Sequence, residues 1–198
     1  IEMPGRTWME RWAVAEAGLS AEAVRKGRLS RDDRRNLEMA AERLYELPIY
    51  IDDAGSQDMD RIRMAAHRLV RDHGAELLIV DYLGLVEPDD PRMNQTQAIT
   101  RISAGLNGLK KELDLPLVVL SQLNRSCEAR TDKRPQTSDL RDSGAIEQDA
   151  DTILFLYRDE VYNPETPDRG IMEIIIAKHR GGPLGTIRSE EHTSGKEC

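Results

Sequence analysis

Residues 77–86 read LLIVDYLGLV, an apolar run that ends at Asp81 and carries no further charge until Glu87. A continuous apolar run of strand length is typical of a parallel strand that is covered on both faces. Open α/β sheets bind their ligands at the carboxyl ends of such strands. Asp81 is therefore a candidate ligand-binding acid, although these ten residues alone fit a strand cap or the start of a turn equally well.

The composition indicates one ordinary domain without a membrane segment. The chain has 198 residues, of which 39% are hydrophobic, and this is enough for a sizeable core. No apolar stretch approaches the roughly 18 residues of a membrane helix, and no leader pattern precedes the domain, so we expect a cytoplasmic protein. Cys127 and Cys198 lack a CxxC pattern or a histidine cluster, which argues against a zinc site and a disulfide framework.

The net charge of −8 argues against a protein that coats nucleic acid with its whole surface. A local basic site stays open, because the segment RSCEARTDKR, residues 125–134, contains four basic residues. Most runs of this kind are solvated loops. The charge alone is therefore compatible with a local basic site and with a solvated loop.

The first third of the chain is predicted to be mostly helical. The segment TWMERWAVAEAG, residues 7–18, favours a helix with Thr7 as its N-cap, Glu10 as the capping partner and Gly18 as its end. A more polar helical stretch covers residues 20–46, and PIYID, residues 48–52, is predicted to be a short strand.

Strands and amphipathic helices alternate through the rest of the chain. A helix is predicted between Asp58 and Gly74, and a second one over residues 97–116. Strands are predicted at residues 77–81, 115–122, 151–157 and 171–179. The alternation predicts a parallel sheet with helices on both faces, in which the first three of these strands lie side by side. The last two follow each other without a helix, which predicts an antiparallel pair at one edge.

Longer motifs carry a family resemblance. The segments LLIVDYLGL, LSQLNRSCEARTDKRPQTSDLRDSGAIEQDAD, YRDEVY and EIIIAKHRGGPLGTIR closely resemble the C-terminal motor domain of DnaB-type replicative DNA helicases. The resemblance covers residues 1–188 and implies an α/β fold with a RecA-like P-loop NTPase core, a mostly parallel sheet flanked by helices. It also implies unwinding of duplex DNA at replication forks by a homohexameric ring that uses ATP and Mg²⁺ and moves on single-stranded DNA. Primase and a helicase loader are the further partners it implies.

The resemblance assigns roles to residues at strand ends. Asp81 matches the Walker-B aspartate, which binds the magnesium shell through water. Glu2, in the segment IEM, matches the glutamate that orients and deprotonates the attacking water. Gln122 lies where the family places a polar sensor of the terminal phosphate.

Further residues match positions that act on nucleotide across a subunit boundary. Lys178 and Arg180, in AKHR, match a K-x-R pair that reaches the neighbouring subunit's nucleotide. On a predicted edge strand, alternate residues face one side, so the two charges should project together. Arg11 aligns with another family arginine near the nucleotide.

The loop SDLRDSG, residues 138–144, supplies the DNA inference. Arg141, Asp142 and Gly144 match the family loop that lines the central channel and holds single-strand phosphates largely through backbone N–H groups. The helix start that follows is predicted to add an anion site. The family usually has Glu where this chain has Asp142.

Two departures from the family limit these expectations. The phosphate-binding sequence G-x-x-x-x-G-K-[ST] does not occur in the chain. In the family it lies upstream of Glu2, so we expect a fragment without the first strand and the Walker A loop, inactive by itself. Residues 189–198, SEEHTSGKEC, resemble a translated sequencing adapter, which predicts a domain over residues 1–188 and a non-native tail.

Two other functions compete with the helicase. A RecA-like recombination or branch-migration ATPase shares the Walker-B strand and the K-x-R pair. A non-catalytic oligomerising module is the second alternative. The stretch SDLRDSGAIEQDAD favours the helicase, because fold-level analogy alone would not separate the three.

Overall fold

The computed structural model describes residues 3–55, 57–140 and 143–190, without the side chains of Ser143, Ser189 and Glu190. Its contacts divide the chain into two compact units. Among the described residues, the first unit comprises residues 3–55 and the second comprises residues 57–140 and 143–190. In the described ranges, no helix is long and apolar enough to cross a bilayer.

The first unit begins with helix α1, Gly5–Glu16. The predicted cap at Thr7 is wrong, because the helix starts after Pro4, whose carbonyl accepts the N–H groups of Thr7 at 2.9 Å and Trp8 at 3.3 Å. Glu10 pairs with Arg6 at 2.8 Å. Gly18 follows the helix in the left-handed conformation, with φ 66°, as an end signal requires.

The helical stretch predicted over residues 20–46 is divided into α2, Ala21–Arg25, and α3, Arg31–Tyr45. Gly27 has φ 65° and follows the end of α2, while Ser30 and Asp33 form a capping box at the start of α3. The predicted strand at residues 48–52 is wrong. A strand requires a hydrogen-bonded neighbour, and this segment instead leads into Asp53, whose Oδ2 accepts the N–H of Gly5 at 2.8 Å.

The second unit contains two pairs of short parallel strands. Its first elements are β1 (Gln57–Asp58), α4 (Met59–His73), β2 (Leu78–Val80), β3 (Val86–Glu87), α5 (Gln95–Leu113) and β4 (Leu117–Val119). Strand β1 pairs with β3, and β2 pairs with β4. The predicted boundaries of α4 are confirmed: Asp58 accepts the N–H of Arg61 at 2.9 Å, and Gly74 ends the helix with φ 65°.

Among the described residues, helices cover one face of the pair β2–β4, and not both faces as predicted. The core on that face consists of Met59, Val80, Leu83, Val86, Ile99, Ile102 and Leu106. On the opposite face Ile79 lies beside Val118 in register, and these side chains are 57% and 48% exposed. Leu77, directly before β2, and Leu120, directly after β4, are also exposed.

The last elements are α6 (Ser143–Asp149) and the strands β5 (Thr152–Tyr157), β6 (Ile171–His179) and β7 (Gly185–Glu190). The three strands form an antiparallel sheet in the order β5-β6-β7. The antiparallel pairing of β5 with β6 is confirmed. Strand β7 includes Ser189 and Glu190, which lie opposite Met172 and Ile171.

Two expectations about this sheet are wrong. Within the described ranges β5 pairs with neither β2 nor β4, so the side-by-side arrangement of the three strands is not observed. An apolar strand sequence indicates extended backbone but not which strand will be its neighbour. Strand β6 is the centre of its sheet and not an edge, because β7 covers its second side.

Candidate functional site

Asp81 and Gln122 lie at the same edge of the parallel pair. Strands β2 and β4 pair in register from Leu78 with Leu117 to Val80 with Val119, so the chain leaves both strands at their shared carboxyl edge. Asp81 directly follows β2, and Gln122 comes three residues after the end of β4. The structure thus brings together two residues that the sequence placed at strand ends, while their chemical roles stay predictions.

Backbone hydrogen bonds fix this edge. The N–H of Leu120 donates to the carbonyl of Val80 at 2.9 Å, and the N–H of Leu83 donates to the carbonyl of Leu120 at 2.9 Å. The peptide bond between Asp81 and Tyr82 is cis. Asp81 is half-buried and Gln122 is exposed. Neither side chain has a hydrogen-bond or ion-pair partner among the described residues, so both remain available to a ligand.

The segment after Gln122 is held by a buried ion pair. Arg130 donates from both terminal nitrogens to the two carboxylate oxygens of Asp139, each at 2.6 Å. Asp139 is 2% exposed and also accepts the N–H of Gln136 at 2.8 Å. These bonds, with that from Arg130 the largest contribution, hold the pKa of the Asp139 carboxyl below its ordinary value.

A second ion pair joins the same segment to the antiparallel sheet. Arg134 donates from Nε and NH2 to the two carboxylate oxygens of Glu173 on β6, each at 2.7 Å. Glu173 is buried, and the Arg134 guanidinium lies 4.7 Å from the ring centroid of Tyr157. Burial, and then a hydrogen bond to Asp159, raise the pKa of Tyr157 to about 12. The segment that starts at the Gln122 end is therefore fixed to β5 and β6.

These two ion pairs involve the basic run at residues 125–134, which was interpreted either as a local basic site or as a solvated loop. Two of its four cations, Arg130 and Arg134, are neutralised by Asp139 and Glu173. Sequence signals identified neither acid as a partner: Asp139 lies nine residues from Arg130, and Glu173 lies 39 residues from Arg134. Bidentate geometry between arginine and a carboxylate is specific, but no sequence signal identifies which acid will supply it.

Lys178 and Arg180 project together, at the end of β6 that lies beside α6. Lys178 Nζ donates to the carbonyl of Glu147 and, at 3.4 Å, to that of Gln148. Arg180 donates from NH2 to the carbonyl of Gln148 and from NH1 to Asp151, each at 2.8 Å. The expected common direction of the two cations is observed, although the strand that carries them is central.

Five predicted site residues remain, and the structure describes two of them, Gly144 and Arg11. Glu2, Arg141 and Asp142 lie outside the described residues. Gly144 is exposed, as the second residue of α6. Arg11 is exposed on α1, in the first unit. Helix α6 covers Ser143–Asp149, and the anion site predicted at its start stays a prediction.

No group of three or more His, Cys, Asp or Glu side chains that could hold a metal ion occurs in residues 3–55, 57–140 and 143–190. A cage built from protein ligands alone is therefore not present in this part of the chain. A single carboxylate at a strand end suits the coordination preference of Mg²⁺. This ion usually keeps several water ligands and binds one or two carboxylates together with substrate phosphates. Asp81 fits such a site.

Parallel strands packed against helices, with an acid at their carboxyl edge, are typical of an α/β protein, and similar solved structures show that the fold is RecA-like. A KaiC-like protein from Pyrococcus horikoshii has a similar fold, with a TM-score of 0.50 over 84% of this chain and 68% of that chain. The two are 19% identical in sequence, so this likeness shows the fold alone.

Sequence comparison identifies the family. Residues 1–194 match the DnaB-like helicase C terminal domain, and the chain belongs to this family. It is 42% identical over 189 residues to the replicative DNA helicase DnaB of Geobacillus stearothermophilus, and 42% identical over 188 residues to the replicative DNA helicase DnaC of Bacillus subtilis. These alignments cover 95% and 94% of this chain but only 42% and 41% of the relatives, so the chain spans about two fifths of their length.

Solved structures agree with this assignment. A DnaB-like replicative helicase, whose structure was described together with its interactions with primase, has a TM-score of 0.91 and 38% identity. That match covers 94% of this chain and 46% of the other. A second solved structure, described as an ATPase domain, has a TM-score of 0.92 and 37% identity, covering 98% of this chain and 69% of that chain.

Proposed function

We propose that the protein containing this chain is an ATP-hydrolysing helicase that unwinds duplex DNA at replication forks. It acts as a homohexameric ring that moves along single-stranded DNA in the cytoplasm. The observation that carries the proposal is the shared carboxyl edge of Asp81 and Gln122 in a chain of the DnaB-like family. The names of the curated relatives, both replicative DNA helicases, support it.

Asp81 holds the hydrated magnesium ion in this proposal. Its carboxylate stands at the end of a paired strand and has no partner among the described residues. A magnesium ion held by Asp81 would supply positive charge beside the phosphates during phosphoryl transfer. Glu2 orients the attacking water and accepts its proton. Gln122 contacts the terminal phosphate, because an amide can donate to phosphate and accept from water.

The cations act from other positions. Lys178 and Arg180 reach the nucleotide of the neighbouring subunit, and their common direction at the end of β6 supports a joint role. Arg11 contacts the nucleotide. Phosphoryl transfer depends on such positioned positive charge, which stabilises the transition state more than the ground state.

DNA binding is assigned to the loop at residues 141–144. Arg141, Asp142 and Gly144 line the central channel, and the exposure of Gly144 supports close backbone approach by a phosphate. The net charge of −8 is compatible with this role, because the contacts come from the interior of a ring. Primase and a helicase loader bind the intact ring. The structure described with primase is a DnaB-like helicase and supports the first of these partners.

Unwinding of a forked duplex tests the proposal. We expect the full-length protein to separate a fork that has a 5′ and a 3′ single-stranded arm, in the presence of ATP and Mg²⁺, and to stop when Mg²⁺ is chelated. A recombination ATPase would instead promote strand exchange between homologous duplex and single-stranded DNA. Strand exchange without fork unwinding would contradict the helicase assignment.

The 198-residue chain should behave differently from the full-length protein. It contains no G-x-x-x-x-G-K-[ST] sequence, so it lacks the backbone N–H groups and the lysine that supply most of the affinity for nucleotide phosphates. We expect neither measurable ATPase activity nor tight ATP binding from this chain. Micromolar ATP binding in a calorimeter would show that its phosphate site is already complete.

A further inference from the structure

Lys178 and Arg180 are both held by the C-terminal end of α6. The last carbonyls of a helix have no partner within the helix, and they form its negative end. The carbonyls of Glu147 and Gln148 accept hydrogen bonds from Lys178 and Arg180. Lys178 and Arg180 are both assigned to contact with the neighbouring subunit's nucleotide. Within their own subunit, the same helix end therefore holds both side chains.

Asp151 also binds Arg180, through both its side chain and its backbone. Its Oδ1 accepts a hydrogen bond from NH1 of Arg180 at 2.8 Å, and its backbone carbonyl accepts the backbone N–H of Arg180 at 3.0 Å. Its Oδ2 accepts a hydrogen bond from Lys110 Nζ at 2.5 Å. Lys110 lies on α5 beside the fully buried Leu109, so Asp151 connects Arg180 to a helix that is anchored in the core.

Stability does not explain this arrangement. The side chains of Asp151 and Arg180 are 50% and 57% exposed, and ion pairs in such positions contribute little to folding. The contacts instead fix the direction of the guanidinium group. They use two of its five N–H donors, which leaves the others for a ligand that approaches from outside the chain.

We propose that Asp151 is a positioning residue that orients Arg180 toward the phosphates of a nucleotide bound by a neighbouring copy of the chain. The inference rests on the proposed function, because it takes Arg180 as the residue that acts across the subunit boundary. Lys110 holds Asp151 in place, and the carbonyl of Gln148 supplies the second contact to the guanidinium.

Steady-state ATP hydrolysis by the full-length protein tests the proposal. Displacement of a catalytic group by about 1 Å can reduce the rate on the order of 100-fold, so we expect Asp151→Ala to lower kcat by roughly 10- to 100-fold with little change in KM. Asp151→Asn, which keeps one acceptor, should lie between this variant and the original protein. The matched control is Asp168→Ala, which breaks an ion pair with Arg188 elsewhere in the same sheet and should leave kcat unchanged.

Mixed rings separate positioning from a structural role. A subunit with Asp151→Ala keeps its own Asp81, so mixing it with Asp81→Asn subunits should restore activity at hybrid interfaces. Mixing it with Arg180→Ala subunits should restore none, because both variants fail in the same function. Activity restored in the second mixture would overturn the proposal, as would a normal kcat for Asp151→Ala.

Two further results make the test decisive. If Asp151→Ala does not assemble, Lys110→Met replaces it, with an expected reduction of roughly 3- to 10-fold in kcat. An unchanged kcat in that variant would overturn the proposal. Arg180→Ala with normal turnover would overturn both this inference and the assigned role of Arg180. Loss of turnover in Arg180→Ala, with normal turnover in Asp151→Ala, would overturn the inference alone.

Discussion

The parallel pair β2–β4 and the antiparallel sheet β5–β7 present their polar residues in opposite ways. At the edge of the parallel pair, Asp81 and Gln122 have no partner in the part of the chain that the structure describes. In the antiparallel sheet, Glu173, Lys178 and Arg180 are each bound to another group of the chain. The difference indicates that the polar side chains at the edge of β2–β4 are available to bind a ligand. Contacts within the chain already fix those of the sheet β5–β7.

Asp81→Asn in the full-length protein should have the largest effect. The substitution removes one charge at the proposed metal site, where a bound ion is worth several kcal/mol of transition-state stabilisation. We expect ATP turnover to fall by roughly 10²- to 10⁴-fold, measured by phosphate release. The melting temperature should not change, because Asp81 has no described partner to lose.

Asp114→Asn is the matched control for this substitution. Asp114 is exposed and precedes β4, so it lies at the amino edge of the strand and not at the carboxyl edge. Asparagine also tolerates its left-handed backbone, with φ 50°. Equal losses of turnover in both variants would show that the edge of the parallel pair has no special role.

Arg134→Met should lower stability, unlike Asp81→Asn, because Arg134 is paired with a residue of the antiparallel sheet. Removing one partner of a buried ion pair typically costs about 3–5 kcal/mol. Arg134 is 42% exposed, so water offsets part of this cost and we expect a loss of about 2 kcal/mol in the free energy of unfolding. Urea denaturation measures it.

The control for Arg134→Met is Arg71→Met. Arg71 pairs with Asp72 at 2.7 Å, and both side chains are more than two fifths exposed. Pairs of this kind contribute about 0–1 kcal/mol. If the two variants lose the same stability, the bidentate contact between the loop and the sheet is not what holds the segment.

Tyr157→Phe should give a smaller effect that depends on pH. The hydroxyl donates to Asp159 at 2.8 Å, and its loss should cost about 1 kcal/mol near pH 8. Because the pKa of Tyr157 is raised to about 12, its stabilising contribution is complete below the ordinary value of 10 and is lost as the pH rises toward 12.

Urea unfolding at several pH values between 8 and 12 tests this prediction. The difference in stability between the original protein and Tyr157→Phe should shrink as the pH rises through this window. A difference that stays constant over the whole range would show that the buried hydroxyl does not ionise differently in the folded and unfolded chain.

Shortening the chain at its C-terminus should have the smallest effect. The adapter-like sequence was predicted to cover residues 189–198 and to add no stability. Removal of residues 191–198 alone, which spares strand β7, should therefore leave the melting temperature unchanged. Removal of residues 189–198 takes away two further positions that pair with Met172 and Ile171 in the sheet. A slight drop in melting temperature for the second deletion only would place the end of the domain at Glu190.

The sequence predicted the elements whose signals are local. Asp58 and Gly74 limit α4, and Ile99, Ile102, Leu106 and Leu109 form the buried side of α5, because capping and periodicity depend on neighbouring residues. The position of Asp81 at a strand end follows from the apolar run before it. The same local signals failed at Thr7, where the proline carbonyl three residues earlier takes the place of a side-chain cap.

Properties that depend on distant partners were not predictable from the sequence. The antiparallel pairing of β5 with β6 was predicted, yet nothing in the apolar pattern of β5 indicates that β2 and β4 are not its neighbours in the described part of the chain. The pair of Arg134 with Glu173 and the contact of Asp151 with Lys110 join residues 39 and 41 positions apart. Several acids and several bases were available to each, and only the folded backbone selects the partner.

The uncovered side of β2 and β4 has a practical consequence for the isolated chain. Leu77, Ile79, Val118 and Leu120 expose apolar surface on one side of two parallel strands, a position that is normally shielded in α/β proteins. Exposed patches of this kind promote association. We expect the purified chain to bind a hydrophobic fluorescent dye, to scatter light increasingly as its concentration or the sulfate concentration rises, and to stay monodisperse longer when Ile79 and Val118 are replaced by threonine.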